Sequence, residues 1–329
     1  MSDISAFKAI RPVRDKVHLV ATRPYYSYKK NVLKAKLEDN PFTFLHIINP
    51  EFSTTVKTKA NSIERFQLVK TQFNDFLDKG ILIQDAEEHL YIYRQSKGDF
   101  SVIGIVGGAS VQEYIDNDIK KHEQTLTLRE EVFTNYLDQV GFNAEPVLMT
   151  YDPQSGINKL IEKVSAERPE YEFTTTDCIK HELWVLSPAQ TKECQTLFKS
   201  VDALYIADGH HRSASSVRYA QIKAEQGTAT AETGYFLSYI VAKDQVKILA
   251  FHRLLKSLNG FTKGQGTLVP NLNTPTYLFT SLLAGTTYQY YVRANCGNGT
   301  FSGWAGPYAF TTLCNAFSVP FQEGFNSTS

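Results

Sequence analysis

The chain has 329 residues, no formal net charge and a 42% hydrophobic content, the make-up of a globular protein of two or three domains. A balanced charge offers no basic surplus for nucleic acid and no acidic surplus of the kind that keeps a chain disordered. Residues 1–16 mix charges of both signs without an apolar segment, so they do not read as a signal peptide. No apolar run approaches the ~20 residues that span a bilayer. The expectation is a cytoplasmic protein that engages neither membrane nor nucleic acid.

Residues 42–48 form an apolar run that reads as a strand, with His46 a satisfied core or edge side chain rather than a ligand. Residues 62–79 place Phe66, Val69, Phe73, Phe76 and Leu77 at helical spacing and stop at Gly80. Strands are expected at 90–93 and 101–106. The second runs into Gly107-Gly108, which lacks the rest of any dinucleotide or Walker pattern and reads as a plain turn rather than a phosphate loop. Ser110 to Glu113 then forms a capping box opening a helix.

Lys120-Lys121-His122-Glu123-Gln124-Thr125 stands just ahead of a second capping box, Thr127-Leu128-Arg129-Glu130. The helix it opens carries Leu128, Val132, Phe133, Tyr136, Leu137 and Val140 on one side and ends at Gly141. His122 and Glu123 therefore fall in a loop before a helix. A carboxylate beside an imidazole and two lysines has the ingredients for proton transfer, and so does a solvated charged loop.

The most informative stretch is 203–212. An apolar run through Ala207 reads as a buried strand, Asp208-Gly209 as a turn, and the small-residue segment 213–225 as a helix. His210, His211 and Arg212 then sit where a strand hands over to a helix. Free backbone N–H groups and the positive end of the helix dipole make that an anion site. Arg212 adds a planar fork suited to phosphate, and Gly209 lets the backbone approach a ligand closely. The plainer reading is that Asp208 caps the helix over a solvated basic surface. Three consecutive basic side chains at that spot favour phosphate.

Beyond residue 265 the composition changes. Of 34 basic and 34 acidic residues, only Arg293 and Glu323 lie in 266–329. Cys178 and Cys194 precede this break, Cys296 and Cys314 follow it, and neither pair has metal-ligand spacing. Residues 287–294 and 308–312 read as strands in a tail rich in Thr, Gly, Asn and Tyr. Residues 283–294 and 304–312 resemble the last strands of a fibronectin type III domain, which makes the tail an all-β half-sandwich fragment joined to a truncated enzyme-like chain. Residues 314–325 look like the opening of a further module.

Together, His122-Glu123-Gln124 ahead of an amphipathic helix and Asp208-Gly209-His210-His211-Arg212 after a strand resemble the free serine kinases of the ParB/sulfiredoxin fold. They also resemble the wider family called domain of unknown function 1015, over residues 7–265. The resemblance implies an α/β (α+β) fold with an N-terminal α/β part at 1–118 and a ParB-like nucleotide- and phosphate-binding part at 119–265, ahead of the fragment at 266–329. It implies transfer of a phosphoryl group from ATP, ADP or CTP with Mg²⁺ to free L-serine or a similar small hydroxyl amino acid. Glu123 would be the general base, His122 a secondary contact, Gly209 to Arg212 the phosphate cradle, and Asp208 its orienting group or a magnesium ligand. Sulfiredoxins carry a cysteine where this chain has His210, which argues against sulfinic-acid reduction, and the helix-turn-helix of ParB proteins is absent. The alternative is a ParB-like nucleotide-binding switch without serine kinase activity.

Overall fold

A computed structural model of the protein describes residues 2–23, 25–52, 57–246, 252–257, 267–269, 282–283, 286–293, 295–297 and 300–311. The chain separates into two compact units, Met1–Val246 and Lys247–Ser329. The first begins with β1 (Ile4–Ser5), β2 (Ile10–Pro12), α1 (Val17–Val20), α2 (Lys30–Asp39), α3 (Leu45–Ile48), α4 (Ile63–Asp78) and β3 (Leu82–Gln84). It continues with β4 (Tyr91–Lys97), β5 (Phe100–Ser110), α5 (Val111–Ile115), α6 (Thr127–Val140), β6 (Val147–Tyr151) and α7 (Ser155–Ser165). The last elements are β7 (Tyr171–Thr174), β8 (Lys180–Val185), α8 (Pro188–Phe198), β9 (Tyr205–Asp208), α9 (His210–Glu225) and β10 (Tyr235–Ala242).

The protein is mixed α/β. One eight-stranded sheet has the order β7-β8-β4-β5-β10-β6-β9, with β1 added alongside β5. The β10–β6 pair is parallel, and the other pairs are antiparallel. Strands from both sides of residue 118 share this sheet, so the expected N-terminal and ParB-like parts are one structural body. Alternation decides which sheet face is buried. Ile92, Ile105, Met149, Phe236 and Ile240 point to one side, where they meet Ile157, Leu160, Ile161 and Val164 of α7, Cys194 and Phe198 of α8, and Val217 of α9. The four α7 residues recur at helical spacing, which is why that helix lies flat on the sheet. Ser187 and Gln190 close a complete capping box at the start of α8, with Pro188 in its first turn.

A second core joins α3, α4 and α6 through Ile47, Phe66, Val69, Phe73, Phe76 and Val140. The helix expected at 62–79 is α4, with Ser62 accepting the Arg65 N–H at its start. The strand expected at 42–48 is instead a turn followed by α3. A short apolar run has no period that separates strand from buried helix, and here Ile47 is drawn into the helical core. His46 is buried, with Nε2 3.1 Å from the Asn40 carbonyl, as a core side chain.

Gly107-Gly108 is neither a turn nor a phosphate loop. Both residues lie inside β5, paired with Ser238 and Leu237 of β10. A Cβ on Gly107 would come within 2.6 Å of Leu90 Cδ2, and one on Gly108 within 2.9 Å of Tyr235 Cβ. Close packing, not backbone curvature, requires glycine there. Ser110 caps α5 by accepting the Glu113 N–H at 3.3 Å, but the Glu113 carboxylate leaves the box and accepts the Asp3 N–H at 2.8 Å. The second expected box also resolves differently. Leu126 holds the N-cap of α6 without a side-chain cap, and the Thr125 hydroxyl donates to the Glu130 carboxylate. Val140 of the expected apolar stripe is buried, whereas Leu128 and Phe133 are exposed.

In the second unit the described residues include a four-stranded antiparallel sheet. Its order is Thr267–Val269, His252–Ser257, Thr287–Arg293, Ala305–Thr311. His252–Ser257 precedes the compositional break and pairs with Thr287–Arg293 beyond it. Residues 258–266, where the break falls, and 312–329 lie outside the described residues. Among the described residues no helix is long and apolar enough to cross a membrane.

Gly104 gives a direct test of the sheet. Its Cβ position lies 2.4 Å from the Ile240 carbonyl oxygen, a backbone atom that cannot rotate away. Gly104→Ala is expected to destabilise the first unit by about 1–3 kcal/mol, read as a lower urea midpoint. An unchanged midpoint would contradict the β5–β10 register.

Candidate functional site

Two backbone hydrogen bonds bring the separated motifs together. The Lys120 N–H donates to the Leu204 carbonyl at 2.7 Å, and the Ile206 N–H donates to the Lys120 carbonyl at 3.0 Å. This isolated parallel bridge ties the loop at 121–126 to the edge of β9. Lys121 secures the same loop from its other side. Its ammonium donates to the Tyr114 carbonyl at 2.9 Å and lies 4.1 Å from the centre of the Tyr114 ring.

β9 ends at Asp208, and Gly209 turns the chain with φ 98°, ψ 28°, a left-handed conformation that favours glycine. α9 begins at His210, three residues earlier than the expected segment, and no side chain caps it. Its first-turn N–H groups and positive dipole end therefore have no side-chain capping partner. Ser213, Ser215 and Ser216 return their hydroxyls to the carbonyls of His210, His211 and Arg212 at 3.0, 2.5 and 2.9 Å. Ser213 and Ser215 are buried, and Thr134 of α6 donates to the Ser215 carbonyl at 3.3 Å. Small side chains thus let α6 and α9 approach closely.

His210 is buried and lies between the two H-E-Q residues. Its Nδ1 is 3.5 Å from Glu123 Oε2, and its Nε2 accepts the His122 N–H at 3.5 Å. The His122 and His210 rings meet edge to face, 4.3 Å between centres. An Nε2 that accepts leaves the proton of a neutral ring on Nδ1, facing the carboxylate. Burial first, and then His122, push His210 below the ordinary imidazole value, while Glu123 opposes them. Glu123 itself is half-exposed, so its carboxylate meets the imidazole and is otherwise partly open to solvent.

Arg212 is engaged within the protein. It donates to Asp208 Oδ2 at 2.8 Å and to the Pro146 carbonyl at 2.7 Å, and it stands 3.4 Å from Glu145. Its guanidinium lies over Gly209, where a Cβ would be 3.0 Å from Nε. The fork therefore fastens the start of α9 to the start of β6, beside a register irregularity between Leu148 and Met149. Asp208 does not cap α9, because its carboxylate takes Arg212 instead. His211 Nδ1 is buried with no hydrogen-bond partner among the described residues, at a cost of about 1–3 kcal/mol for such a group. Among the described residues no three His, Cys, Asp or Glu side chains gather as a metal cluster.

The structure thus brings His122, Glu123 and His210 together, with Gly209 and His211 beside them, and turns Arg212 and Asp208 toward each other. Glu145 and Pro146, which hold Arg212, carry no motif of their own, and Lys120, from the H-E-Q stretch, acts through strand pairing.

The depressed His210 sets a pH dependence. In the unfolded chain the ring titrates near ~6.5. A lower folded value means that its contribution to stability is fully present above that pH and is lost as pH falls through the folded value. His210→Asn cannot titrate, so its melting temperature is expected to fall less than that of the wild type between pH 7 and pH 5. Parallel curves would show that His210 is not held neutral. His181, pushed down by its own burial, is present in both proteins and cancels.

No curated protein and no solved structure matches this chain. A family model described as protein of unknown function (DUF1015) matches residues 4–274, spanning the whole sheet and both motifs. The chain belongs to the DUF1015 family.

Proposed function

We propose that the first unit is a small-molecule kinase that transfers a phosphoryl group from a nucleotide to the hydroxyl of L-serine or a similar small amino acid. The observation that carries this reading is the meeting of Glu123 with His210 at the uncapped start of α9, across a separation of 88 residues between His122 and His210. Phosphoryl transfer needs a base at the nucleophile and positive potential at the phosphates, within one substrate's length of each other. The resemblance of both motifs to the free serine kinases points the same way.

In this reading Glu123 accepts the proton of the substrate hydroxyl. His210, which the sequence pattern assigns to the phosphates, acts instead on Glu123. Its neutral Nδ1–H orients the carboxylate without adding a charge that would weaken it as a base. His122 supports that geometry through its N–H. The N–H groups of the first α9 turn receive phosphate oxygens, with Gly209 supplying the close approach. His211 belongs to the same first turn and is an imidazole the motif resemblance assigns to the phosphate cradle. A nucleotide with Mg²⁺, when bound, supplies the phosphoryl group and much of the charge that neutralises it. Asp208 is an exposed carboxylate beside this helix start, suited to the oxygen set Mg²⁺ takes with nucleotide phosphates. Arg212 would serve by shifting its fork from Asp208 toward the phosphates, or by holding the turn in place.

Glu123→Gln keeps the shape and removes the base. Serine-dependent turnover is expected to fall about 10²–10⁴-fold, with nucleotide affinity by calorimetry little changed. Equal loss of affinity would move Glu123 to a structural or metal role. Arg212→Ala is expected to weaken nucleotide binding about tenfold or more, the loss of one charge-assisted hydrogen bond. Unchanged affinity would remove Arg212 from the phosphate cradle.

A further inference from the structure

The arginines of the first unit show where a second charge is unmet. Arg11, Arg23, Arg65, Arg94, Arg212 and Arg218 each hold a carboxylate within ion-pair distance. Among the described residues of this unit, Arg14, Arg129 and Arg168 do not. Arg14 and Arg168 come from segments 154 residues apart in sequence, yet both line the same pair of adjoining clefts, about 200 and 330 Å³ in volume. Arg14 leads into α1, and Arg168 lies between α7 and β7.

The walls of these clefts explain why the two guanidinium groups stay free. Glu170, which lines both clefts, is taken by Arg11 at 3.2 Å. Glu172 is taken by Lys180 at 3.0 Å. Glu167 is the only lining carboxylate without a cation among the described residues, so the clefts hold two unmatched positive groups against one negative group. Pro169 and the buried Trp184 supply apolar wall, and Gln190 adds an amide. The Trp184 indole N–H donates to the Glu167 carbonyl at 2.9 Å, which fixes the backbone leading to Arg168.

We infer that Arg14 and Arg168 form a second binding site, for a small oxyanion carrying two or more negative oxygens, such as a diphosphate or a polycarboxylate. Two planar forks in one concave site can each take a pair of oxygens from one ligand, which single exposed arginines do not offer. The site is separate from the motif site. It borders β7 and β8 at one end of the sheet, whereas the motifs lie at β9, six strand intervals away, or about 29 Å at ~4.8 Å per strand. The inference therefore stands or falls independently of the kinase reading.

Trp184 provides a local readout, because the chain has only two tryptophans, Trp184 and Trp304. In a Trp304→Phe background of the full chain, the single indole N–H resonance reports the cleft. Pyrophosphate or citrate at about 10 mM, tenfold above a Kd of ~1 mM, is expected to shift that resonance along a saturating curve. Arg14→Gln/Arg168→Gln, at exposed positions, is expected to weaken the effect tenfold or more, and Glu123→Gln to leave it intact. Saturation by pyrophosphate alone selects a phosphate ligand, and saturation by citrate alone a carboxylate one. An unmoved resonance with both anions, or an equal shift in the double variant, would overturn the site.

Discussion

The bridge between Lys120 and the edge of β9 is the interaction on which the candidate site depends. Without its two hydrogen bonds, the H-E-Q loop would have only the packing of α6 on α9 and the Lys121–Tyr114 contact to set its position beside the start of α9. With them, the loop extends the sheet edge by one residue and delivers His122 and Glu123 to the turn at Gly209. Each such bond adds only about 0.5–1.5 kcal/mol net. Their value is in register: they fix which side chains of the loop face His210.

The same economy runs through the charges around that turn. Arg212 is paired with both Asp208 and Glu145, so this part of the rim sets one cation against two carboxylates and is partly exposed. Contacts of this kind are worth about 0–1 kcal/mol each, weak enough for an anionic ligand to compete for the arginine. His210 is the opposite case. It is buried, held neutral by desolvation and tied to a half-open carboxylate. The site therefore combines a buried interior contact with a partly exposed, ion-paired rim.

Much of this was legible in the sequence, for identifiable reasons. α4 showed as a long apolar stripe with a clear stop, and β4, β5 and the strand–turn–helix at 205–225 showed as apolar runs bounded by turn residues. The motifs marked residues that the fold brings together, His122 and Glu123 with His210, but the contacts each one makes depended on tertiary structure. Nothing in the local pattern distinguishes His210, turned inward to Glu123, from His211 next to it. Nothing marks Pro146 or Glu145 as the partners of Arg212. The run at 42–48 was ambiguous because seven residues fit either period, and Gly107-Gly108 misled because glycine serves close strand packing as well as turns. The stretch from β6 to α8 carried signals as clear as any, including the α7 stripe and the Ser187–Gln190 box, yet a motif-led reading passes over it because it holds no chemistry.

The central claim is that both motifs form one phosphoryl-transfer site. Phosphorus NMR of the full chain, with Mg²⁺ and ATP or ADP, with and without L-serine, tests it most directly. The account predicts an O-phosphoserine resonance that grows as nucleotide is consumed and requires serine. Nucleotide consumed at the same rate without serine, or no consumption at all by a chain whose circular dichroism shows it folded, would contradict it.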